Sequence, residues 1–371
     1  MSLGGLTEPI RVGFESTCLL GERSGVGATA SAVLERMAGR DEVAVTALGV
    51  SWRGRQTLPS VVPKGVGAES TMFPARVAHR IWQHANWPSF GGYDIVHGPN
   101  FVVPPGHGAA ELVTIHDLGP WRFPHLVDVH VRAYPRLLDR AMRRGAHIHV
   151  PSAFVGNEVV EYLGIDRDRV HVILNGHEIN LSGDPTRGRQ MAGGPYVLAV
   201  GTIEPRKNFP VLVEAMRHVF DELPELRLVI AGAPGLASDD LESAIRRTGN
   251  QERVSVLGYV SDADRNSLLA GAECLAFPSL YEGFGLPPLE AMAYRTPVVA
   301  ADAGSLPEVC GQAALLVSPA DCEELARAII SAVADDDVAS RLIAAGQNQV
   351  HQFSWDRSVD DLVRLYQRLG R

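Results

Sequence analysis

Cysteine is scarce in this chain: Cys18, Cys274, Cys310 and Cys322 are the 4 in 371 residues, and no two stand in Cys-x-x-Cys spacing. That argues against a disulfide-built scaffold, and no His/Cys cluster has the spacing of a zinc site. The thiols read as reduced, mostly core residues of an intracellular protein. Long apolar runs are missing as well. None approaches the ~18 residues of a membrane span. The N-terminal "MSLGGLTEP" lacks the charged-then-apolar pattern of a signal sequence, so a cytoplasmic protein is expected. Positive charge is in deficit, with 34 Lys and Arg against 43 Asp and Glu and a formal net charge of −9. Such a balance argues against a general nucleic-acid binder and leaves room for a local basic patch. Peripheral contact with a membrane stays open through "RAYPRLLDRAMRRGAH", Arg132 to His147, a basic helical pattern that equally fits a solvated face.

What is present is globular: 46% hydrophobic and 21% charged residues, with a mean hydropathy of +0.01. The length exceeds the ~250–300 residues at which one core stops growing, so two domains are expected. Short β-branched runs at 10–16, 42–48, 93–98, 111–117, 146–150 and 169–174 read as strands, and 27–39, 128–144 and 153–163 as helices. A polar stretch, "SGDPTRGRQMAGG" (182–194), reads as a linker. The pattern then restarts with strands at 195–201, 226–232, 253–260, 274–279 and 296–302. Helices fall near 208–221, 239–248, 263–271, 286–294, 321–334, 336–351 and 356–369. Alternation of this kind predicts two doubly wound, Rossmann-like α/β domains, 1–185 and 193–354. Their ligands would sit beyond the carboxyl ends of the strands, in a cleft between the two.

Four stretches carry chemistry. "SGVGATA" (24–30) spells Gly-x-Gly-x-x-Ala, and Gly25 and Gly27 would bring bare amides to an anion. A dinucleotide fingerprint turns directly off its strand, whereas this one stands well clear of it. A glycine loop touching a phosphate or an acceptor is the better fit, beside the plain reading of a loop-to-helix turn. "VTIHDLGP" (113–120) puts His116 at a strand end, where it could donate to or accept from a hydroxyl, while Asp117 fixes its tautomer or caps the next turn. In "VGTIEPRKNFPVLVEAM" (200–216), Arg206 and Lys207 stand at a helix start, where cations oppose the helix dipole unless an anionic ligand, phosphate above all, offsets them. In "YEGFGLPPLEAMA" (281–293), Glu282 and Glu290 flank a glycine turn that opens a helix. Eight helical positions span ~12 Å, too far for a water-activating acid–base pair, so the two carboxylates should hold two jobs along an extended ligand. The Asp-x-Asp pairs at 166–168 and 262–264 match a metal-dependent sugar-transfer pattern, but sit among turn and cap residues.

Arg206-Lys207 in "GTIEPRKN", the Glu-x7-Glu of Glu282 and Glu290, and "GSLPEVCGQAALLVSP" (304–319) together resemble retaining glycosyltransferase family 4. So do "HGPNFVVPP", "TIHDL" and "VPSAFVGNEVVEYLG" in the first half. Within that family the chain looks most like bacterial GDP-mannose-dependent mannosyltransferases. The resemblance implies a GT-B fold, with the C-terminal helix (355–371) returning to the N-terminal domain. It also implies a metal-independent hexosyltransferase that needs no cofactor, takes a nucleotide-diphosphate sugar as donor, and has a glycan, lipid-linked or small-molecule acceptor. By position, Arg206 and Lys207 would neutralise the diphosphate and leaving group. Gly283, Phe284, Gly285 and Leu286 would hold phosphate and sugar, Glu282 the sugar hydroxyls and Glu290 the ribose. Gly258, Tyr259 and Val260 would lie by the base, His116 would face the donor sugar, and Gly25 and Gly27 would line the cleft. The sequence departs from the family at Thr202, which stands where many relatives carry an arginine and can only hydrogen-bond. A catalytically inactive GT-B partner subunit, and a dinucleotide oxidoreductase built on "GVGATA", are the competing readings.

Overall fold

The computed structural model describes residues 8–21, 25–125, 131–178 and 181–370. The chain folds as two units. The first ends at Gly176 and regains the chain from Trp355 onward; the second runs from His177 to Ser354.

In the first unit the strands are β1 (Ile10–Glu15), β2 (Val43–Gly49), β3 (Gly67–Ser70), β4 (Phe90–Gly91), β5 (Ile95–Gly98), β6 (Gly106–His107), β7 (Ala110–Thr114), β8 (His147–Val150) and β9 (Val170–Val172). Seven form one parallel sheet in the order β3-β2-β1-β5-β7-β8-β9, while β4 and β6 pair separately. The second unit contains β10 (Tyr196–Val200), β11 (Arg227–Ala231), β12 (Val254–Gly258), β13 (Cys274–Phe277), β14 (Val298–Ala301) and β15 (Leu315–Val317). Their order, β12-β11-β10-β13-β14-β15, is the doubly wound arrangement in which chain direction across the sheet reverses beside the first strand. The switch points lie between β1 and β5 and between β10 and β13.

Burial on both faces explains the composition of the strands. All five residues of β10 are buried, as a sheet covered by helices on each side requires. Period-two alternation sends Leu198 and Leu275 to one core with Leu289 and Met292, and Val197 and Ala199 to the other with Phe209, Leu212 and Leu325. In the first unit, Val12, Phe14, Ile95 and Leu112 pack against Val359, Leu362 and Tyr366 of the last helix, Trp355–Leu369.

That helix is joined to the sheet by a buried hydrogen-bond chain. Tyr366 Oη lies 2.7 Å from His97 Nδ1, His97 Nε2 2.8 Å from Thr114 Oγ1, Thr114 Oγ1 2.9 Å from His149 Nδ1, and His149 Nε2 3.0 Å from the Ile173 carbonyl. A carbonyl only accepts, so His149 Nε2–H donates to Ile173; with both imidazoles neutral, Thr114 donates to His149, His97 to Thr114, and Tyr366 to His97. Burial pushes the His97 pKa well below its usual range and that of His149 down to about 4. The unfolded chain binds protons at these sites below pH ~6.5 and the native state does not, so stability is full above that pH and drains away toward pH 4. Scanning calorimetry from pH 7 to 4.5 should show a steep fall in Tm, with His149 alone accounting for about 3 kcal/mol at the acid end. A flat Tm would contradict the neutral chain.

Two expectations need correction. The segment 182–194 is not a linker: Pro185–Ala192 is a helix, with the Asp184 side chain accepting from Thr186 N and Gly193 in the left-handed C-cap conformation. It docks on helix Asp262–Gly271, with Arg187 paired to Asp264 at 2.5 Å. The unit boundary accordingly falls at Gly176/His177, ahead of the 185 and 193 expected. The second correction is to the basic segment 132–147. Residues 128–130 of the expected helix lie outside the described residues, and Val131–Ala133 is a 3-10 turn before helix Tyr134–Arg144. Arg140 and Arg143 make exposed contacts with Asn86 and Asp139, as a solvated face would, and Arg144 makes a largely buried one with Glu111. Among the described residues no helix is long and apolar enough to cross a membrane.

Candidate functional site

Beyond the carboxyl end of β10 the chain passes Gly201 and Thr202 and makes a 3-10 turn, Pro205–Lys207, before helix Phe209–Glu222. Asn208 ends that turn at φ 58 and donates from Nδ2 to the Pro319 carbonyl at 2.8 Å. Beyond the neighbouring β13 comes the loop carrying Glu282. The Leu280 amide donates to the Arg206 carbonyl at 2.7 Å, which ties the two loops together at the switch point.

There Glu282 takes one cation on each oxygen. Lys207 Nζ donates to Oε1 at 2.5 Å and Arg206 Nη1 to Oε2 at 2.9 Å, while Arg206 Nε also reaches Glu204 Oε2 at 2.8 Å. Lys207 and Glu282 are buried, and the ammonium lies 4.7 Å from the Phe277 ring centroid. Burial disfavours charge on both groups. For Glu282, Lys207 and Arg206 outweigh it and hold the carboxyl below its usual range. For Lys207 burial is the larger influence and lowers its pKa. With bonds this short to two cations, Glu282 is an ionised carboxylate.

The backbone that aims Glu282 is fixed from behind. The Ser305 hydroxyl sits between the carbonyls of Glu282 (3.0 Å) and Phe284 (2.7 Å), and the Ser305 amide donates to Glu282 at 3.1 Å. Gly304, at φ +60, leaves room for this: a Cβ there would lie 2.8–2.9 Å from Glu282 backbone atoms. Gly283, Phe284 and Gly285 are buried, and Gly285, at φ +101, caps helix Leu286–Ala293. Pro287 and Pro288 carry no N–H, so the donors at this helix start are the amides of Gly285 and Leu286, with the positive dipole end behind them.

Glu290 lies further along the same helix and faces a different cation, Arg265, at 3.4 Å. Burial raises its pKa, with Arg265 opposing and Asp262 adding to the rise. Arg265 Nε is buried without a partner. Elsewhere in this unit Gly258 turns the end of β12 at φ +69, Tyr259 is 79% exposed beside half-buried Val260, and Thr202 is exposed. The pair Asp262 and Asp264 opens a helix, Ser261 accepting from the Asp264 amide. No group of three or more His, Cys, Asp or Glu among the described residues is placed to hold a metal ion.

In the first unit His116 follows β7. Its Nε2 lies 2.8 Å from the Pro99 carbonyl, so Nε2–H donates and Nδ1 is left as an acceptor. Burial lowers its pKa. Asp117 does not fix that tautomer; its carboxylate accepts from the Gly119 amide at 2.7 Å and shapes the next turn. Gly25 and Gly27 open helix Gly25–Met37, with Gly27 buried, while Ser24 lies outside the described residues.

Arg206, Lys207 and Glu282 thus form one cluster, with the glycine turn directly after it and Glu290 beside Arg265. Sequence reasoning missed Glu204, Arg265 and Ser305. For Arg265 a signal was available, since it stands three residues after Asp262 on the helix that "VSDAD" starts.

Two doubly wound units, the second with paired cations and a carboxylate at its switch point, have the GT-B fold. Two solved structures share it over nearly the whole chain. One is Anabaena HepE in complex with UDP and glucose, with a TM-score of 0.73 and 20% identity, covering 97% of this chain and 100% of that one. The other is sucrose-phosphate synthase of Thermosynechococcus elongatus, with a TM-score of 0.73 and 20% identity, covering 97% and 99%. Residues 188–349 match the family described as glycosyl transferases group 1, and residues 23–181 match glycosyltransferase family 4. The O-antigen chain mannosyltransferase B of Escherichia coli is 32% identical over 290 residues, 74% of each chain. The serotype-specific mannosyltransferase WbdA of Escherichia coli is 29% identical over 308 residues, 74% of this chain and 37% of that longer protein. The chain belongs to glycosyltransferase family 4.

Proposed function

We propose that the protein is a retaining mannosyltransferase that moves mannose from GDP-mannose to a saccharide-bearing acceptor without a metal ion. The observation that carries this reading is the Arg206–Lys207–Glu282 cluster at the β10/β13 switch point, beside the helix start at Gly285 and Leu286. Similarity to proteins named as mannosyltransferases supports the choice of sugar; the GDP donor rests on the resemblance to GDP-mannose-dependent family members.

Lys207 and Arg206 would leave Glu282 for the diphosphate, aided by the Gly285 and Leu286 amides and by the Thr202 hydroxyl. Freed from its cations, Glu282 would accept from sugar hydroxyls, Glu290 would hold the ribose, and Gly258, Tyr259 and Val260 would lie by the base. His116, presenting Nδ1, would accept from a hydroxyl of the donor sugar, with Gly25 and Gly27 near the reacting groups. As the bond between the anomeric carbon and the phosphate oxygen breaks, its electron pair leaves with the phosphate. The acceptor hydroxyl attacks from the same face, and its proton passes to the departing phosphate oxygen. No protein base is needed, and the cations supply the charge that stabilises the leaving group.

Thermal-shift titration with GDP, UDP, ADP and their sugars tests the reading. GDP and GDP-mannose should raise Tm most, by several degrees at 100-fold excess over Kd (about 2.7 kcal/mol of linkage). A chain that responds to none of these nucleotides would be an inactive partner subunit.

A further inference from the structure

A cavity lies in the first unit, beyond the carboxyl ends of β1, β2 and β3. It is open to solvent, has a volume of about 510 Å³ and is lined by residues that include Thr17, Ser51, Trp52, Arg53, Pro74 and Arg76. That volume falls within the ~300–1,000 Å³ of small-molecule sites, and strand carboxyl ends are where doubly wound sheets bind ligands.

The loop that presents Trp52 and Arg53 is pinned at its base. Val50 N donates to Thr17 Oγ1 at 2.8 Å and Gly54 N to Ser51 Oγ at 2.9 Å. Gly54 is buried, with Leu20 Cδ1 only 2.3 Å from where its Cβ would be. From this fixed base Trp52, 51% exposed, and the exposed Arg53 line the cavity. Arg76 enters from the first turn of helix Ala75–Trp82, whose start has no side-chain cap. The nearest carboxylate along β1, Glu15, is occupied with the Thr17 amide at 2.9 Å. Neither Arg53 nor Arg76 has a carboxylate partner among the described residues, although the chain carries a net charge of −9.

We propose that this cavity binds a phosphorylated saccharide, the two guanidiniums holding the phosphate and the Trp52 indole lying against the apolar face of the sugar ring. Arginine forks match phosphate oxygens two at a time, and a planar indole gives a pyranose a flat apolar surface without competing for its hydroxyls. Calling this ligand the acceptor, or the anionic portion of one, rests on the transferase reading above; the binding itself does not.

The test uses the full chain and calorimetric titration with glucose 6-phosphate, glucose and inorganic phosphate. Glucose 6-phosphate should bind in the millimolar range or tighter and glucose should not. The exposed pair Arg53→Ala/Arg76→Ala should weaken glucose 6-phosphate at least tenfold, and Trp52→Ala should weaken it while leaving inorganic phosphate unchanged. Binding that is insensitive to all three substitutions overturns the proposal, as does glucose binding as well as its phosphate. Sedimentation with phosphatidylinositol vesicles, in the absence of any affinity for glucose 6-phosphate, would replace the saccharide with a membrane surface and also overturn it. The GDP-induced thermal shift is measured on the same variants. If wild type gives no shift the donor reading fails, whereas an intact shift with no sugar-phosphate binding removes the cavity site alone.

Discussion

Lys207→Met is expected to cut transfer by about 10²–10³-fold, the range seen when one preorganised charge-stabilising donor is removed from a reacting centre. Methionine keeps most of the stem that packs on Phe277, and Glu282 keeps Arg206 as its partner at 2.9 Å. The fold should therefore survive, and loss of activity cannot be put down to unfolding if the circular dichroism spectrum and Tm stay close to wild type. Because leaving-group charge develops mainly in the transition state, the loss should fall on kcat more than on KM. Steady-state kinetics with GDP-mannose would show it, and wild-type turnover would remove Lys207 from the chemistry.

Glu282→Gln should separate binding from transfer. The native carboxylate is bonded to two cations; Arg206 also holds Glu204 at 2.8 Å, whereas the buried Lys207 has no other carboxylate partner among the described residues. A neutral amide leaves the Lys207 ammonium uncompensated, and breaking a buried pair from one side costs roughly 3–5 kcal/mol of stability. A bound diphosphate supplies the missing charge without first displacing a carboxylate. The variant should thus melt earlier than wild type yet bind bare GDP about tenfold more tightly, about 1.4 kcal/mol, and transfer should still fall by at least ~10²-fold because the sugar hydroxyls lose their acceptor. Calorimetric titration of GDP decides it: affinity equal to or weaker than wild type would mean that Glu282 does not hold the diphosphate's place in the unliganded protein.

These expectations rest on contacts that the sequence carries unevenly. The βα alternation was plain because buried parallel strands such as "YVLAV" leave little but apolar residues, and most helix ends fell within a residue or two of their caps. β3 was not readable: "GAES" lies at the sheet edge and is mostly exposed, so it has neither apolar run nor alternation. The segment 182–194 misled because proline and glycine mark helix ends as well as linkers; Asp184-Pro185 and Gly193 are an N-cap, a first turn and a C-cap.

At the site, the Arg-Lys turn and the two glutamates were legible as residue types, and the two glutamates face different cations. What could not be read was that Glu282 holds Arg206 and Lys207 itself. Those residues stand some 75 positions apart, and only the β10/β13 adjacency, a crossover in the sheet order, brings them together. The Tyr366–His97 contact, 269 positions apart, is hidden for the same reason.

The most direct test needs no acceptor. Proton NMR of GDP-mannose incubated with the enzyme follows its slow hydrolysis, water standing in for the acceptor hydroxyl. Same-face attack on this α-linked donor should release mannose first as the α anomer, at a rate that Lys207→Met lowers about 10²-fold or more. Initial appearance of the β anomer, or hydrolysis no faster than in the absence of enzyme, would contradict the account.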